Sequence, residues 1–127
     1  DLSRVIVGHI GDSEDLEYLK RLMGRGSYIG MDRFGIDRLL PTPRRVATIA
    51  ALCRDGYAER MVLSHDASCF SDSRDMETTR RTMTNWQYNH IPDEVLPALR
   101  EAGVSDAQVD QMLRLNPRAI FERTGGY

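Results

Sequence analysis

Lysine is almost missing from this sequence: of 17 basic residues only Lys20 is one, and the arginine bias reads as genome composition rather than function. Cysteine is equally scarce. Cys53 and Cys69 are the two present, too few for a disulfide framework, so a reducing compartment and a cytoplasmic location are expected. Neither sign of charge is in surplus. With 19 acidic residues and a net charge of −2, the chain carries no electrostatic footprint for nucleic acid. No apolar run is long enough to span a bilayer, and no signal peptide opens the chain, so membranes are not expected partners either. Low-complexity segments and domain linkers are also lacking.

What remains is 127 residues, 41% hydrophobic and 28% charged, which is one domain or part of a larger one. The hydrophobic runs exclude a disordered chain. Asp1 leads at once into the apolar run Arg4-Val5-Ile6-Val7, so sequence upstream is expected to be missing.

Short apolar runs alternate with helical patterns. Val5-Ile6-Val7-Gly8-His9 is continuous and β-branched, as in a strand buried on both faces. Asp12 to Asp15 offer capping oxygens, Leu16, Leu19, Leu22 and Met23 follow at helical spacing, and Gly24 and Gly26 stop the helix. Ser27 to Asp32 is the second strand candidate, followed by a loop over Arg33 to Pro41. Thr42-Pro43 reads as a cap with proline in the first turn, Val46, Ile49, Ala50 and Cys53 as a core stripe, and Gly56 as the stop. Met61 to Asp66 is the third strand candidate. A long polar stretch from Ala67 to Ile91 follows, with a short helix possible over Arg74–Met83. Two helices close the chain: Asp93–Ala102, ending at Gly103, and one opened by the capping box at Ser105 and broken at Asn116-Pro117. Gly125-Gly126 reads as a frayed tail. Strand–helix units about thirty residues apart predict a parallel α/β architecture. Three such units fit part of a (β/α)8 barrel, which needs about 250 residues, or a small open sheet.

Ligands of α/β folds gather at the carboxyl ends of strands, and here those ends are polar. His9 ends the first, Asp32-Arg33 the second, His65-Asp66 the third. By alternation Val5, Val7 and His9 share a side of their strand, and Val62, Ser64 and Asp66 likewise share a side of theirs, so an imidazole and a carboxylate can enter one mouth from different strands. That pair suits a divalent metal, but two ligands are too few for a site. A hydrogen-bonded core histidine and a capping aspartate meet the same spacing. Asp12 fits an N-cap or a residue that orients a ligand or an arginine. Asp32 and Arg33 fit a rim ion pair or a carbonyl-polarising group. His65 is expected against the helix layer, His90 in a loop, Cys53 in the core, Lys20 in solvent, and Cys69 as a small pocket residue. Trp86 and Tyr88 are expected to anchor the long loop.

These segments resemble the C-terminal half of the phosphotriesterase family, and within it the phosphotriesterase-like lactonases. The resemblance is carried in order by Val5 to Ser13, Gly30-Met31-Asp32-Arg33-Phe34-Gly35, Asp55-Gly56-Tyr57 and Leu63-Ser64-His65-Asp66. It continues through Leu96-Pro97-Ala98-Leu99, Gly103-Val104 and Asn116-Pro117. It implies a partial TIM (β/α)8 barrel: residues 1–127 would be its last three βα units, strands six to eight, plus C-terminal helices. It also implies two divalent metal ions, zinc first, with cobalt, manganese or iron as alternatives. His9 would be a ligand of the more exposed ion. Asp66 would be a ligand of the buried ion and the catalytic proton acceptor beside a bridging hydroxide nucleophile. Asp12 and Asp32 would support the ligands, while Arg33, in the lactonase pattern, and Cys69 would bind substrate. Phe34 stands where tyrosine is common, and an aromatic usual near Asp72-Ser73 is absent. The family's strand-one H-x-H, bridging lysine and strand-five histidine have no counterpart here, and Lys20 lies on the wrong element to serve.

The activity implied for the full-length protein is hydrolysis of lactones, and of organophosphate triesters as a side activity, by a homodimer. The 127 residues alone are expected to be inactive. The rival expectation is a small open-sheet signalling or binding module with Asp66 or Asp12 as phosphoacceptor.

Overall fold

The computed structural model describes residues 1–122 and 124 of the chain; the Gly125-Gly126 tail lies outside them. Three parallel strands, β1 (Ile6–Val7), β2 (Tyr28–Met31) and β3 (Met61–Leu63), pair in sequential order, with Val7 opposite Ile29 and Met31 opposite Leu63. Helix α1 (Leu16–Gly24) connects β1 to β2, and α2 (Thr42–Arg54) connects β2 to β3. All strand carboxyl ends therefore lie along one edge.

The central strand is buried throughout, with Tyr28, Ile29 and Met31 all 5% exposed or less. Leu19 and Met23 of α1 and Ile49, Leu52 and Cys53 of α2 close over the sheet together with Met61 and Phe34. Each large aliphatic side chain buried there contributes about 1.5–3 kcal/mol. The first strand departs from expectation. It is two residues long rather than five, and it is not buried on both faces: Val5 and Ile6 are 41% and 37% exposed. It is an edge strand of the sheet, so no neighbouring strand covers its far side.

The helix starts match the sequence reading in part. Asp15, not Asp12, caps α1 by accepting from the Tyr18 amide. Thr42 is the first residue of α2 rather than its cap, and Asp37 takes the Thr42 amide and hydroxyl at 3.1 and 3.2 Å. The box at Ser105 forms as the sequence predicts. Lys20 is not a free surface lysine; it binds Asp55 at 2.8 Å and so ties α1 to the end of α2.

Two prolines shape the C-terminal helices. A π-helical turn, Ile91–Val95, runs straight into α4 (Leu96–Glu101), and α5 (Asp106–Asp110) passes through a second, Gln111–Leu115, into α6 (Asn116–Phe121). In each, the amide before the proline reaches back five residues, Leu96 to the Ile91 carbonyl and Asn116 to the Gln111 carbonyl. A proline offers no amide and crowds the carbonyl four residues back, and a widened turn relieves both. Asn116-Pro117 therefore does not break the helix. Asn116 is buried and donates to the Ala58 and Met61 carbonyls at 2.8 and 2.7 Å, pinning this helix beneath β3.

The segment after β3 carries α3 (Met76–Thr82), capped by Asp75. It is anchored on the strand-end edge. The Trp86 indole donates to the His65 carbonyl at 2.8 Å, and Arg74 stacks over the Trp86 ring. Gly35, at φ +89°, lies flush against it: a Cβ there would sit 2.0 Å from the Asn85 carbonyl oxygen. No described helix is long and apolar enough to cross a membrane.

Candidate active site

Among the described residues, three non-glycine residues have positive φ: His9 at 61°, Arg33 at 60° and Asp66 at 54°. Each stands just past the end of one strand, and each was singled out by the sequence for its chemistry. A side chain in the left-handed region costs of order 1–3 kcal/mol and persists only where surrounding structure over-determines it. Such strain at three neighbouring strand ends makes this edge the candidate site. It also takes His9 and Asp66 out of the pleat, so strand alternation does not set their direction.

His9 is held by Asp32. One Asp32 oxygen accepts from the His9 amide at 2.9 Å, and the carboxylate lies 3.2 Å from Nδ1 of the ring. A carboxylate only accepts, so neutral His9 carries its proton on Nδ1 and presents the lone pair of Nε2. This is the arrangement that orients a histidine toward an electrophile or cation. Half of the side chain is exposed. The Asp32 carboxylate fits because Gly30 and Gly8 lie beneath it; a Cβ on Gly30 would come within 3.1 Å of the oxygen.

Of the two readings of Asp32 and Arg33, the ion pair between them does not form. Arg33 turns instead to Asp12, donating from Nη1 at 2.8 Å, while its Nε lies 3.6 Å from the Asp66 carboxylate. Asp12 is shared. Its other oxygen accepts from Nη2 of Arg45 at 2.6 Å. Burial raises the Asp12 carboxyl, but the hydrogen bonds and charges of Arg45 and Arg33 outweigh it and hold the group below its ordinary value. The hydrogen bond to Asp12 in turn raises Arg33, against a smaller opposing effect of burial. Charges thus alternate along Asp66, Arg33, Asp12 and Arg45.

Arg45 was missed in the sequence. It lies one residue before Val46 on the helix stripe, where an arginine reads as solvated. It is 1% exposed and saturates backbone acceptors around the site: Nε donates to Leu40 at 2.9 Å, and Nη1 to Gly11 at 2.7 Å and Asp32 at 3.0 Å. The only sequence signal was a basic residue directly after Arg44, which bonds Glu14 across the surface.

The remaining expectations divide. Cys53 is in the core, its thiol pushed up to about 11 by burial. His65 packs not on the helix layer but edge-on to Tyr88, at 4.7 Å between ring centroids. His90 is buried rather than loose in a loop, its Nε2 3.0 Å from the Thr42 hydroxyl. Trp86 anchors the long segment as expected, whereas Tyr88 is 55% exposed. A cavity of about 310 Å³ opens beside the strand ends, lined by Ala67, Ser68, Met76, Met83, Trp86 and Tyr88 among others. Cys69 is exposed and does not line that cavity. Asp12 is not free to serve as a phosphoacceptor: both its oxygens are taken by arginines, and Lys20 lies on α1.

Known proteins resemble this chain over nearly its whole length. The model of the phosphotriesterase family matches residues 1–121. A phosphotriesterase homology protein of Mycobacterium tuberculosis is 53% identical over 127 residues, all of this chain and 39% of the relative. The aryldialkylphosphatase of Saccharolobus solfataricus is 31% identical over 95% of this chain and 39% of its own. The solved phosphotriesterase from Mycobacterium tuberculosis, 53% identical, superposes on the whole chain, and 39% of its own, with a TM-score of 0.96. A mutant of a Deinococcus radiodurans PTE-like lactonase, 29% identical, superposes on 95% of this chain and 39% of its own, with a TM-score of 0.80. The chain thus spans 39% of the length of these relatives.

Proposed function

The chain belongs to the phosphotriesterase family, and on that premise we propose that it supplies part of the active site of a metal-dependent hydrolase that opens lactones. Organophosphate triesters would be a side substrate. The observation that carries this reading is the carboxylate-clamped His9 sharing one strand edge with the Arg33–Asp66 pair. The three strands would be the sixth, seventh and eighth of a (β/α)8 barrel, and the full-length protein a homodimer. The sequential order of three parallel strands suits a barrel segment.

Among the described residues, no three histidine, cysteine, aspartate or glutamate side chains converge as a metal cage. The chain offers part of a donor set instead, and the parts fit. His9 presents Nε2 from a fixed ring, and the Asp66 carboxylate is 46% exposed at the same edge. They would hold two divalent cations, zinc first, with further ligands from elsewhere in the full-length protein. Cations so held would polarise a carbonyl or phosphoryl oxygen and acidify a water. Asp66 would accept the proton released as water attacks. Arg33, fixed by Asp12, keeps donors free for the substrate oxygen at the rim. The motive for lactones is the Asp32-Arg33-Phe34-Gly35 run and the likeness to a PTE-like lactonase.

The test is lactone opening by the full-length protein loaded with zinc, followed by proton release. Turnover is expected, with D66N lowering kcat by about 10²–10⁴-fold. Rapid triester hydrolysis with no lactone opening would overturn the lactonase assignment.

A further inference from the structure

The Arg45 guanidinium is wholly buried, yet no part of it faces a substrate-accessible surface. Its acceptors come from three separate segments that share no helix or strand: Gly11 and Asp12 after β1, Asp32 at the end of β2, and Leu40 before α2. A buried arginine needs one good counter-ion and enough carbonyls to satisfy its donors. Nothing in that requirement demands that the counter-ion be shared with a second arginine. Here it is: Asp12 gives Oδ1 to Arg45 and Oδ2 to Arg33. The shared carboxylate couples a buried, immobile guanidinium to a rim guanidinium that is 28% exposed and 3.6 Å from Asp66.

We propose that Arg45 is a positioning residue of the active site: through Asp12 it fixes where Arg33 stands beside Asp66, and so sets substrate binding at the rim. This rests on the reading of the site as a hydrolase, in which Arg33 contacts substrate. Lysine cannot replace it. An ammonium has three donors on a flexible stem and cannot span four acceptors in the plane of a fork. Without Arg45, Asp12 is free to turn toward solvent, and Arg33 loses its fixed partner.

The experiment uses the full-length protein and two independent readouts. The first is the crystallographic position of Arg33 in R45M, which does not depend on turnover. Arg33 is expected to leave Asp12; Arg33 unmoved would overturn the proposal. The second is steady-state lactone hydrolysis. R45M is expected to raise KM about tenfold with kcat within about twofold, since misplacing an orienting partner typically costs 10–100-fold. A residue that only stabilised the fold would reduce the active fraction, lowering kcat at unchanged KM; that result overturns the proposal. In an R33A background the R45M substitution should add less than about twofold, and full additivity would show that Arg45 does not act through Arg33. If R45M fails to fold, D12N keeps the three carbonyl bonds of Arg45 and is expected to raise KM in the same way; an unchanged KM there also overturns it. An inactive wild-type protein would refute the hydrolase reading alone, and the Arg33 position would still decide the role of Arg45.

Discussion

A carboxylate gripped by two arginines responds to acid in a fixed direction. Asp12 is held below its ordinary range, with burial opposing and Arg45 and Arg33 prevailing. A lowered folded pKa stabilises the fold fully above the unfolded value, about 4, and the stabilisation is lost as pH falls through the folded value. D12A also strands Arg45, which is 1% exposed, without its counter-ion. The expected cost at pH 7 is about 3 kcal/mol. Urea unfolding of the full-length protein and of D12A should show that gap unchanged from pH 7 to 5 and narrowing below about pH 4. A gap that persists at pH 3 would place the stabilisation elsewhere. At this scale the sequence revealed the residue types at the strand ends but not their pairing. Asp32 was as plausible a partner for its neighbour Arg33 as for His9, 23 residues away; the choice followed from a floor of two glycines that admits a carboxylate.

Elements meet where the backbone allows close approach. The loop after β2 touches the loop after β3 at Gly35, and Asn85 bonds Asp37 at 3.0 Å beside it. Asp37 also accepts from the Thr42 amide and hydroxyl, so one carboxylate joins the start of α2 to the loop that lines the cavity. G35A would strain a backbone at φ +89° and drive a methyl against the Asn85 carbonyl. The strain alone costs about 1–3 kcal/mol. Residues 84–88 should then exchange amide hydrogens faster, while the Ser105 helix start stays protected. Unaltered exchange at 84–88 would mean that the contact does not hold the segment in place. The stripes of α1 and α2 and the Ser105 box were legible because they depend on spacing within a few residues. The helix through Asn116-Pro117 was not. Its continuity depends on a π turn and on two carbonyls near β3, contacts more than fifty residues distant.

The whole molecule is lopsided. Its core lies between the sheet and the helices, whereas Leu2 and Val5, just before the first strand, and Ile6 within it are partly exposed. A bare parallel strand with apolar side chains templates association. The 127 residues on their own are therefore expected to elute as aggregates in size-exclusion chromatography, to retain no stoichiometric zinc after dialysis, and to turn over no lactone. A monodisperse, zinc-loaded and active 127-mer would contradict the proposal that the remaining ligands come from other polypeptide. The parallel α/β class, the polar character of the strand ends and the family were all determined by the sequence alone, because hydrophobic period, glycine stops and short motifs are local. Tertiary structure alone decided that Asp32 serves His9, that Asp12 serves two arginines, and that Arg45 lies inside. Hydrogen-bond partners are chosen by distance in space, and residues 11, 12, 32, 40 and 45 become neighbours only once the strands have paired.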